Sequence, residues 1–168
     1  MTKVLLGLGS NIEPRLDTLN AALQQLQGAQ LSLLAVSSAY ESLPYQAVGE
    51  GNYINLVALG ETKLSPQVLL DFVLEVEQSL GRVRGEEKWG ARTIDIDILA
   101  YNSLCLKEPG LEIPHYDLQN RDFFLIPIQE IAADFKDPKT ETGIEEMIQS
   151  LPANLQTRLE RLEWKFTL

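Results

Sequence analysis

The alternation of polar and apolar residues is clearest from Thr93 to Tyr101, where every second side chain is apolar and mostly β-branched. This period of 2 places alternate side chains on the same face of an extended strand. Similar apolar runs predict strands over Lys3 to Gly9, Leu31 to Tyr40 and Tyr53 to Glu61. Four strands are therefore expected in the first 101 residues.

Two helices are predicted between these strands. After Pro14, apolar residues recur every three or four positions until Gly28, which favours a helix that opens at the proline. Ser65 and Pro66 supply an N-cap and a first helical residue for a second helix. We expect this helix to run to Leu80, because a glycine follows.

The resulting order, β-α-β-β-α-β, is the ferredoxin-like order. We therefore predict an α+β fold: a ferredoxin-like βαββαβ sandwich with an antiparallel sheet, helices on one face and extra C-terminal helices. Residues 41–51 predict a loop long enough to act as a flap. Residues 102–135 predict a short strand and turns, and residues 143–162 two packing helices. Without a linker or repeat, one domain is expected over residues 1–168, with a core at 3–135 and a helical tail at 143–162.

Asp95 and Asp97 carry the strongest chemical signal. On a strand they face the same side with their Cα atoms about 6–7 Å apart, too close for two partly buried anions without a cation. Mg²⁺ is normally held by one or two carboxylates together with substrate phosphates and water, so the pair suits a metal–nucleotide complex. The alternative is a solvated Asp-X-Asp on an edge strand. The interleaved Ile94, Ile96 and Ile98 argue against it, because they indicate that the opposite face is core.

Basic residues concentrate on both sides of this pair. Arg82, Arg84 and Arg92 precede it, and guanidinium groups bind phosphate bidentately, so a polyphosphate clamp is predicted. His115, the only histidine, and Arg121 follow it and add two candidate phosphate ligands. Taken singly, arginines near a helix end are usually dipole partners or solubilising groups, and a lone histidine is usually structural.

The composition of the chain limits the kinds of partner that it is expected to bind. The formal net charge of −10 argues against a nucleic-acid or anionic-membrane binder. No apolar run approaches the ~18 residues that span a bilayer, and no signal peptide is recognisable. A single cysteine, Cys105, excludes an intramolecular disulfide and suits a reducing compartment. We expect a cytoplasmic monomer that acts on small molecules.

These motifs, taken together, resemble the 6-hydroxymethyl-7,8-dihydropterin pyrophosphokinase family of folate biosynthesis. The resemblance covers roughly residues 3 to 135 and rests on motifs in the family's order: Leu8–Asn11, Tyr53–Asn55, Gly81–Arg84, Trp89–Asp97 and Pro114–Tyr116, with Arg121 and Phe123. It implies transfer of diphosphate from MgATP to the pterin hydroxymethyl group, with release of AMP.

The resemblance also implies roles for individual residues. Asp95 and Asp97 would hold two Mg²⁺ ions. The ATP phosphates would be bound by Arg82, Arg84, Arg92, His115 and Arg121, which with the two aspartates form the predicted catalytic set. The nucleoside would lie by Ile98 and Tyr116, with Glu77 nearby. The pterin would contact Ser42, Leu43, Tyr45, Tyr53, Asn55, Trp89 and Phe123, stacked between Trp89 and Phe123.

The chain departs from the family pattern at three places. Ala91 stands where proline is usual, Leu74 where glutamine is frequent, and Ser42-Leu43 where Thr-Pro is common. None of these removes a predicted metal ligand or phosphate-binding arginine. Three other functions remain open: another metal-dependent nucleotidyl or phosphoryl transferase, a non-catalytic nucleotide-binding ferredoxin-like domain, and an inactive family relative.

Overall fold

The computed structural model describes residues 1–42, 51–82 and 93–167. These residues form eight strands: β1 (Thr2–Ser10), β2 (Leu31–Val36), β3 (Ala39–Ser42), β4 (Tyr53–Thr62), β5 (Asp95–Tyr101), β6 (Leu106–Glu108), β7 (Leu111–Ile113) and β8 (Glu160–Leu162). They also form four α-helices: α1 (Arg15–Leu26), α2 (Pro66–Ser79), α3 (Asp122–Ile131) and α4 (Ile144–Gln149). Single 3₁₀ turns occupy Leu118–Asn120 and Ala153–Leu155.

The main sheet is built around β1, which pairs antiparallel with β5 on one side and with β4 on the other. The far edge of β4 pairs with β2 along one half and with β3 along the other half, again antiparallel. The strand order and the two helices between strands confirm the predicted ferredoxin-like antiparallel sheet. Within the described residues, β5 is an edge strand of this sheet.

Each face of the sheet carries its own apolar core. The helices α1 and α2 cover one face, where Leu6 and Leu8 of β1 pack with Leu23 and Val73. The additional helices α3 and α4 cover the opposite face, where Leu5, Val57 and Leu99 pack with Phe124 and Met147. The ferredoxin-like helices therefore lie on one face, as predicted, and the C-terminal additions close the other one.

The predicted strand Leu31 to Tyr40 is divided into β2 and β3 at two serines. Ser37 Oγ accepts the Val57 N–H (2.9 Å), and the Ser38 N–H donates to the carboxylate of Glu130 on α3 (3.0 Å). These side-chain bonds replace part of the strand ladder, so the chain bends without leaving polar groups unpaired.

Two predictions for the C-terminal third are wrong. Residues 102–135 were expected to hold a short strand and turns, yet they include α3, which has Pro127 in its interior. The helix persists because its apolar side chains are buried on several sides, and this packing outweighs the lost backbone bond. The second helix expected within 143–162 is instead strand β8, which pairs with the open edge of β3.

The described part of the chain contains no helix that is both long and apolar enough to cross a membrane.

Gly7 of β1 is required by close packing on the α3 face. A Cβ at this position would lie 2.8 Å from Phe124 Cε1 and 3.2 Å from Leu99 Cδ1. We expect Gly7→Ala to lower the free energy of unfolding by about 1–3 kcal/mol because a packed core resists added volume. Urea denaturation measures this loss.

The matched control is Gly28→Ala, since a Cβ at Gly28 would meet nothing within 4 Å. We expect that control to change stability by less than about 0.5 kcal/mol. Equal losses in the two variants would contradict the packing of α3 against β1.

Candidate active site

Asp95 and Asp97 lie side by side on one face of β5. They stand opposite Gly9 and Gly7 of β1, and both are half-buried. Ile94, Ile96 and Ile98 are buried in the α1–α2 core, on the other face. The predicted alternation is therefore confirmed, and the two carboxylates share the α3 side of the sheet.

The C-terminus of α2 brings Arg82 to Asp95. Gly81 has φ +87°, and the N–H groups of Gly81 and Arg82 donate to the carbonyls of Gln78 and Glu77 (both 3.1 Å). These are the two bonds of a Schellman cap, which glycine favours at its left-handed position. The capped turn directs the Arg82 side chain to β5, where Nη1 donates to Asp95 Oδ1 (2.8 Å).

Arg82 also pairs with Glu77, whose carboxyl group is buried. Glu77 Oε1 accepts the Ile96 N–H (2.6 Å), a donor on the outer edge of β5. Glu77 Oε2 has no hydrogen-bond partner among the described residues. Burial raises the pKa of Glu77, while the Ile96 N–H and the Arg82 charge oppose that rise. Arg82 thus links Glu77 to Asp95, and the Ile98 side chain lies on the opposite face from the two aspartates.

A loop from β7 places His115 beside Asp97. The His115 N–H donates to the Leu99 carbonyl (3.0 Å), which docks the loop on β5. Nδ1 accepts the Asp117 N–H (3.1 Å), so this hydrogen-bond network assigns the ring proton to Nε2. Nε2 lies 3.9 Å from Asp97 Oδ1. The ring therefore presents an N–H donor to the face that carries the carboxylates.

His115 is neutral near pH 7. Burial of the ring and the nearby Arg121 charge lower its pKa from 6.5 to about 4. In this state His115 can donate a hydrogen bond to a phosphate oxygen, but it adds no positive charge. The permanent positive charge after β5 is that of Arg121.

Arg121 is held between a carboxylate and aromatic rings. Its Nε donates to Asp117 Oδ2 (2.8 Å), and its Nη2 to Tyr116 Oη (3.2 Å). The guanidinium carbon lies 5.7 Å from the ring centroids of Tyr116 and Phe123. Sequence reasoning gave Asp117 no role, although its spacing of four residues from Arg121 was a signal for this pair. Asp117 orients both Arg121 and His115.

Three predicted pterin residues meet at the end of the sheet where β4 lies between β1 and β3. A Cβ at Gly9 would lie 2.6 Å from Asn55 Oδ1 and 3.8 Å from Tyr53 Cδ1, so both side chains cover Gly9. Asn55 Nδ2 donates to Ser42 Oγ (3.1 Å). Gly9 is the residue opposite Asp95. The polar group around Asn55 is therefore on the same face as the first carboxylate, with only β1 between the two strands that carry them.

Several predicted site residues lie outside the described residues, namely Leu43, Tyr45, Arg84, Trp89 and Arg92, together with the substituted Ala91. Of the described ones, Phe123 is the second residue of α3 and packs edge-on against Phe124 (5.0 Å between ring centroids). Tyr116 is exposed and stacks on His115 (4.6 Å). Leu74 is half-buried on α2. The described site thus joins β5, the α2 cap, the His115 loop and the start of α3.

The donor set at β5 fits a metal carried by a nucleotide. Among residues 1–42, 51–82 and 93–167, no three His, Cys, Asp or Glu side chains converge to enclose an ion. Mg²⁺ is held by one or two carboxylates when phosphate oxygens and water complete its coordination, and Asp95 and Asp97 supply that number. The residues present therefore fit magnesium with a phosphate ligand.

Comparison with known proteins agrees with this geometry. A family model described as 7,8-dihydro-6-hydroxymethylpterin-pyrophosphokinase (HPPK) matches residues 5–133. The 2-amino-4-hydroxy-6-hydroxymethyldihydropteridine pyrophosphokinase of Haemophilus influenzae is 40% identical over 142 residues, which cover 84% of this chain and 88% of that protein. The enzyme of the same name from Synechocystis is 38% identical over 148 residues, or 88% and 75% of the two chains.

Solved structures show a similar fold. A crystal structure of HPPK-DHPS in complex with substrates aligns with a TM-score of 0.70 at 16% identity, over 89% of this chain and 43% of that one. Plasmodium falciparum HPPK-DHPS with pterin and p-hydroxybenzoate aligns with a TM-score of 0.71 at 14% identity, over 88% and 41% of the two chains. This chain thus spans less than half of these solved chains, and at such low identity the likeness concerns the fold alone.

The lowered pKa of His115 makes stability depend on pH. The unfolded chain takes up a proton near pH 6.5, whereas the native chain resists it until about pH 4. The stability contributed by neutral His115 is therefore complete above about pH 6.5 and is lost as the pH falls toward 4. Between about pH 7.5 and about pH 5 we expect a loss of about 2 kcal/mol.

Urea denaturation of the wild type and of His115→Asn at both pH values isolates this contribution, because the chain has no other histidine. Asparagine keeps a short polar side chain near the Asp117 N–H and does not titrate. We expect the variant to lose less stability than the wild type on acidification. The same pH dependence in both proteins would show that His115 is not buried as described.

Proposed function

Because the chain belongs to the 7,8-dihydro-6-hydroxymethylpterin pyrophosphokinase family and is a pyrophosphokinase of folate biosynthesis, we propose that the reaction takes place on the face of β5 that holds Asp95 and Asp97. Diphosphate passes there from MgATP to the hydroxymethyl group of 6-hydroxymethyl-7,8-dihydropterin, and AMP leaves. The observation that carries this proposal is the placement of Asp95 and Asp97 on one face, with Arg82 bonded to Asp95 and with Asn55 on the same face across β1.

The proposed nucleotide side of the site lies at the edge of β5. Asp95 and Asp97 would hold two Mg²⁺ ions, which would neutralise phosphate charge and favour ionisation of the pterin hydroxyl. Arg82 is bonded to Asp95, and Arg121 lies in the segment that follows His115. Arg84 and Arg92 are proposed to extend this phosphate clamp. His115 donates from Nε2 to a phosphate oxygen. Exposed Tyr116 offers a ring to the nucleoside.

The proposed pterin side lies between the β3–β4 end and the start of α3. The Asn55 amide has a donor and an acceptor side by side, which matches the paired donors and acceptors of a pyrimidinone ring. Tyr53 and Phe123 provide aromatic surface for a flat heterocycle, and Trp89, Leu43 and Tyr45 are proposed to complete the pocket. Ser42 fixes the Asn55 amide through the bond to Nδ2.

The products of the proposed reaction depend on which phosphorus atom of ATP the pterin oxygen attacks. The pterin oxygen bonds to the β-phosphorus, the bond from that phosphorus to the α–β bridging oxygen breaks, and AMP departs with the bridging oxygen. The proposed metal ions would favour release of the pterin hydroxyl proton to water, so no side chain is assigned as general base. His115 is not placed for that role, because its Nδ1 accepts the Asp117 N–H and its Nε2 carries the ring proton. Arginines stabilise the charge that develops on the phosphate oxygens.

We further propose that the whole chain, residues 1–168, acts as one pyrophosphokinase domain, as a cytoplasmic monomer with no nucleic-acid or membrane partner. The net charge of −10 supports the exclusion of polyanions. The exposed free thiol of Cys105 is compatible with a reducing compartment.

Removal of either carboxylate tests the site. We expect Asp95→Ala and Asp97→Ala to lower kcat by about a hundredfold or more, because charge on the phosphates would no longer be offset. Both variants should remain folded, because loss of one anion relieves repulsion between neighbours. Asp71→Ala on the exposed side of α2 is the control and should keep full activity. Full activity in either β5 variant would refute the site.

The fate of a labelled phosphate tests the reaction itself. With γ-labelled MgATP and reduced hydroxymethylpterin, we expect the label in the pterin product and unlabelled AMP in equal amount, because the β- and γ-phosphates move together. Chromatography of the products measures both. Formation of ADP would overturn the mechanism, and no pterin-dependent loss of ATP would overturn the function.

A further inference from the structure

The C-terminal tail is fastened to the first residue of α3. The Thr157 N–H and Oγ1 donate to Asp122 Oδ2 and Oδ1 (2.6 and 2.7 Å). We call this pair of bonds the Asp122–Thr157 clasp. Asp122 is buried, and a carboxylate in the first turn of a helix is favoured by the helix dipole. The clasp therefore supplies two hydrogen-bond donors to a buried carboxylate, and a buried charged group is costly to leave without such partners.

From Thr157 the tail runs directly to β3. Leu159 packs on the α3-side core, and the following strand β8 pairs with β3 from Ala39 to Glu41. A few residues of tail thus connect the start of α3 with the strand that leads to Ser42. The other end of α3 is tied to β3 separately, because Glu130 accepts from Tyr40 Oη (2.8 Å) and from Ser38.

Both ends of this connection border the proposed pterin pocket. Phe123 directly follows Asp122, so any movement of the helix start moves the Phe123 ring. Ser42 directly follows the segment of β3 that β8 holds, and its hydroxyl accepts from Asn55 Nδ2 (3.1 Å). The distance between these two walls is therefore set in part by the tail, which forms neither of them.

We propose that the Asp122–Thr157 clasp is a positioning element for the pterin pocket, which holds Phe123 at a fixed place relative to Asn55 and Ser42. The pterin as ligand rests on the proposed function. Asp122 and Thr157 act through Phe123, and they are positioning residues.

The nucleotide side has supports that do not involve the tail. Arg121 is bonded to Asp117 and Tyr116, and Asp95 is bonded to Arg82. The His115 loop is docked on β5 through the Leu99 carbonyl. A weakened clasp should therefore reduce affinity for pterin and leave affinity for ATP nearly unchanged. A loss of stability alone would not separate the two substrates in this way.

The test compares Thr157→Val, which removes the hydroxyl at constant shape, with Thr157→Ser, which keeps it. We expect Thr157→Val and Asp122→Asn to raise the KM for pterin about tenfold or more, the order of one lost buried hydrogen bond to a charged group. The KM for ATP should change less than about twofold. Thr157→Ser should restore the KM for pterin to the wild-type value.

Thr62→Val is the matched control for stability. Its buried hydroxyl donates to the Gln30 carbonyl (2.6 Å) at the end of β4 remote from the pocket. We expect this variant to lose stability without a change in the KM for pterin. An unchanged KM for pterin in Thr157→Val, or equal rises for both substrates, would overturn the proposal.

Direct titration of pterin in the presence of an uncleavable MgATP analogue separates this proposal from the proposed function. Wild-type protein that binds pterin in this titration but consumes no MgATP in a separate assay with pterin would overturn the function, and the same variants would still test the clasp by affinity. Wild-type protein that does not bind pterin would overturn both.

Discussion

The register of β1 against its two neighbours determines where the polar groups of the site lie. Gly9 stands opposite Asp95 on one side and opposite Asn55 on the other, and Gly7 stands opposite Asp97. Because side chains alternate along a strand, a slip of one residue would turn the carboxylates into the α1–α2 core. The small residues on β1 leave room for Asn55 and for Phe124 above the sheet. The proposed metal, phosphate and pterin contacts all depend on this register.

The outer edge of β5 is the second determinant of the site's geometry, because its backbone N–H and carbonyl groups bind the segments that supply the other site residues. Glu77 accepts the Ile96 N–H, and the His115 N–H donates to the Leu99 carbonyl. An edge strand without such partners would expose a row of donors and acceptors. Here the edge binds one helix cap that supplies Arg82 and one loop that supplies His115 and Arg121. Although the formal net charge is −10, the arginines Arg82 and Arg121 are thereby attached to the strand that carries Asp95 and Asp97.

The sequence predicted the parts that follow from local periodicity and motif. Alternation along β5 placed Asp95 and Asp97 on one face, and Gly81 correctly ended α2. The Glu77–Arg82–Asp95 arrangement was not predictable, because it depends on how α2 packs beside β5. Helix α3 was missed because its residues are apolar on several sides and include Pro127, so no helical stripe was visible. Strand β8 was missed because its pairing with β3 is a long-range contact that spacing in the tail does not reveal.

The proposed site requires that Asp95 and Asp97 hold divalent ions only together with nucleotide phosphates. Electron paramagnetic resonance of Mn²⁺, with an ATP analogue whose α–β bridging oxygen is a methylene, counts the ions bound per chain. We expect two tightly bound ions with the analogue and only weak binding without it. Unchanged stoichiometry in the Asp95→Asn, Asp97→Asn double variant would contradict it.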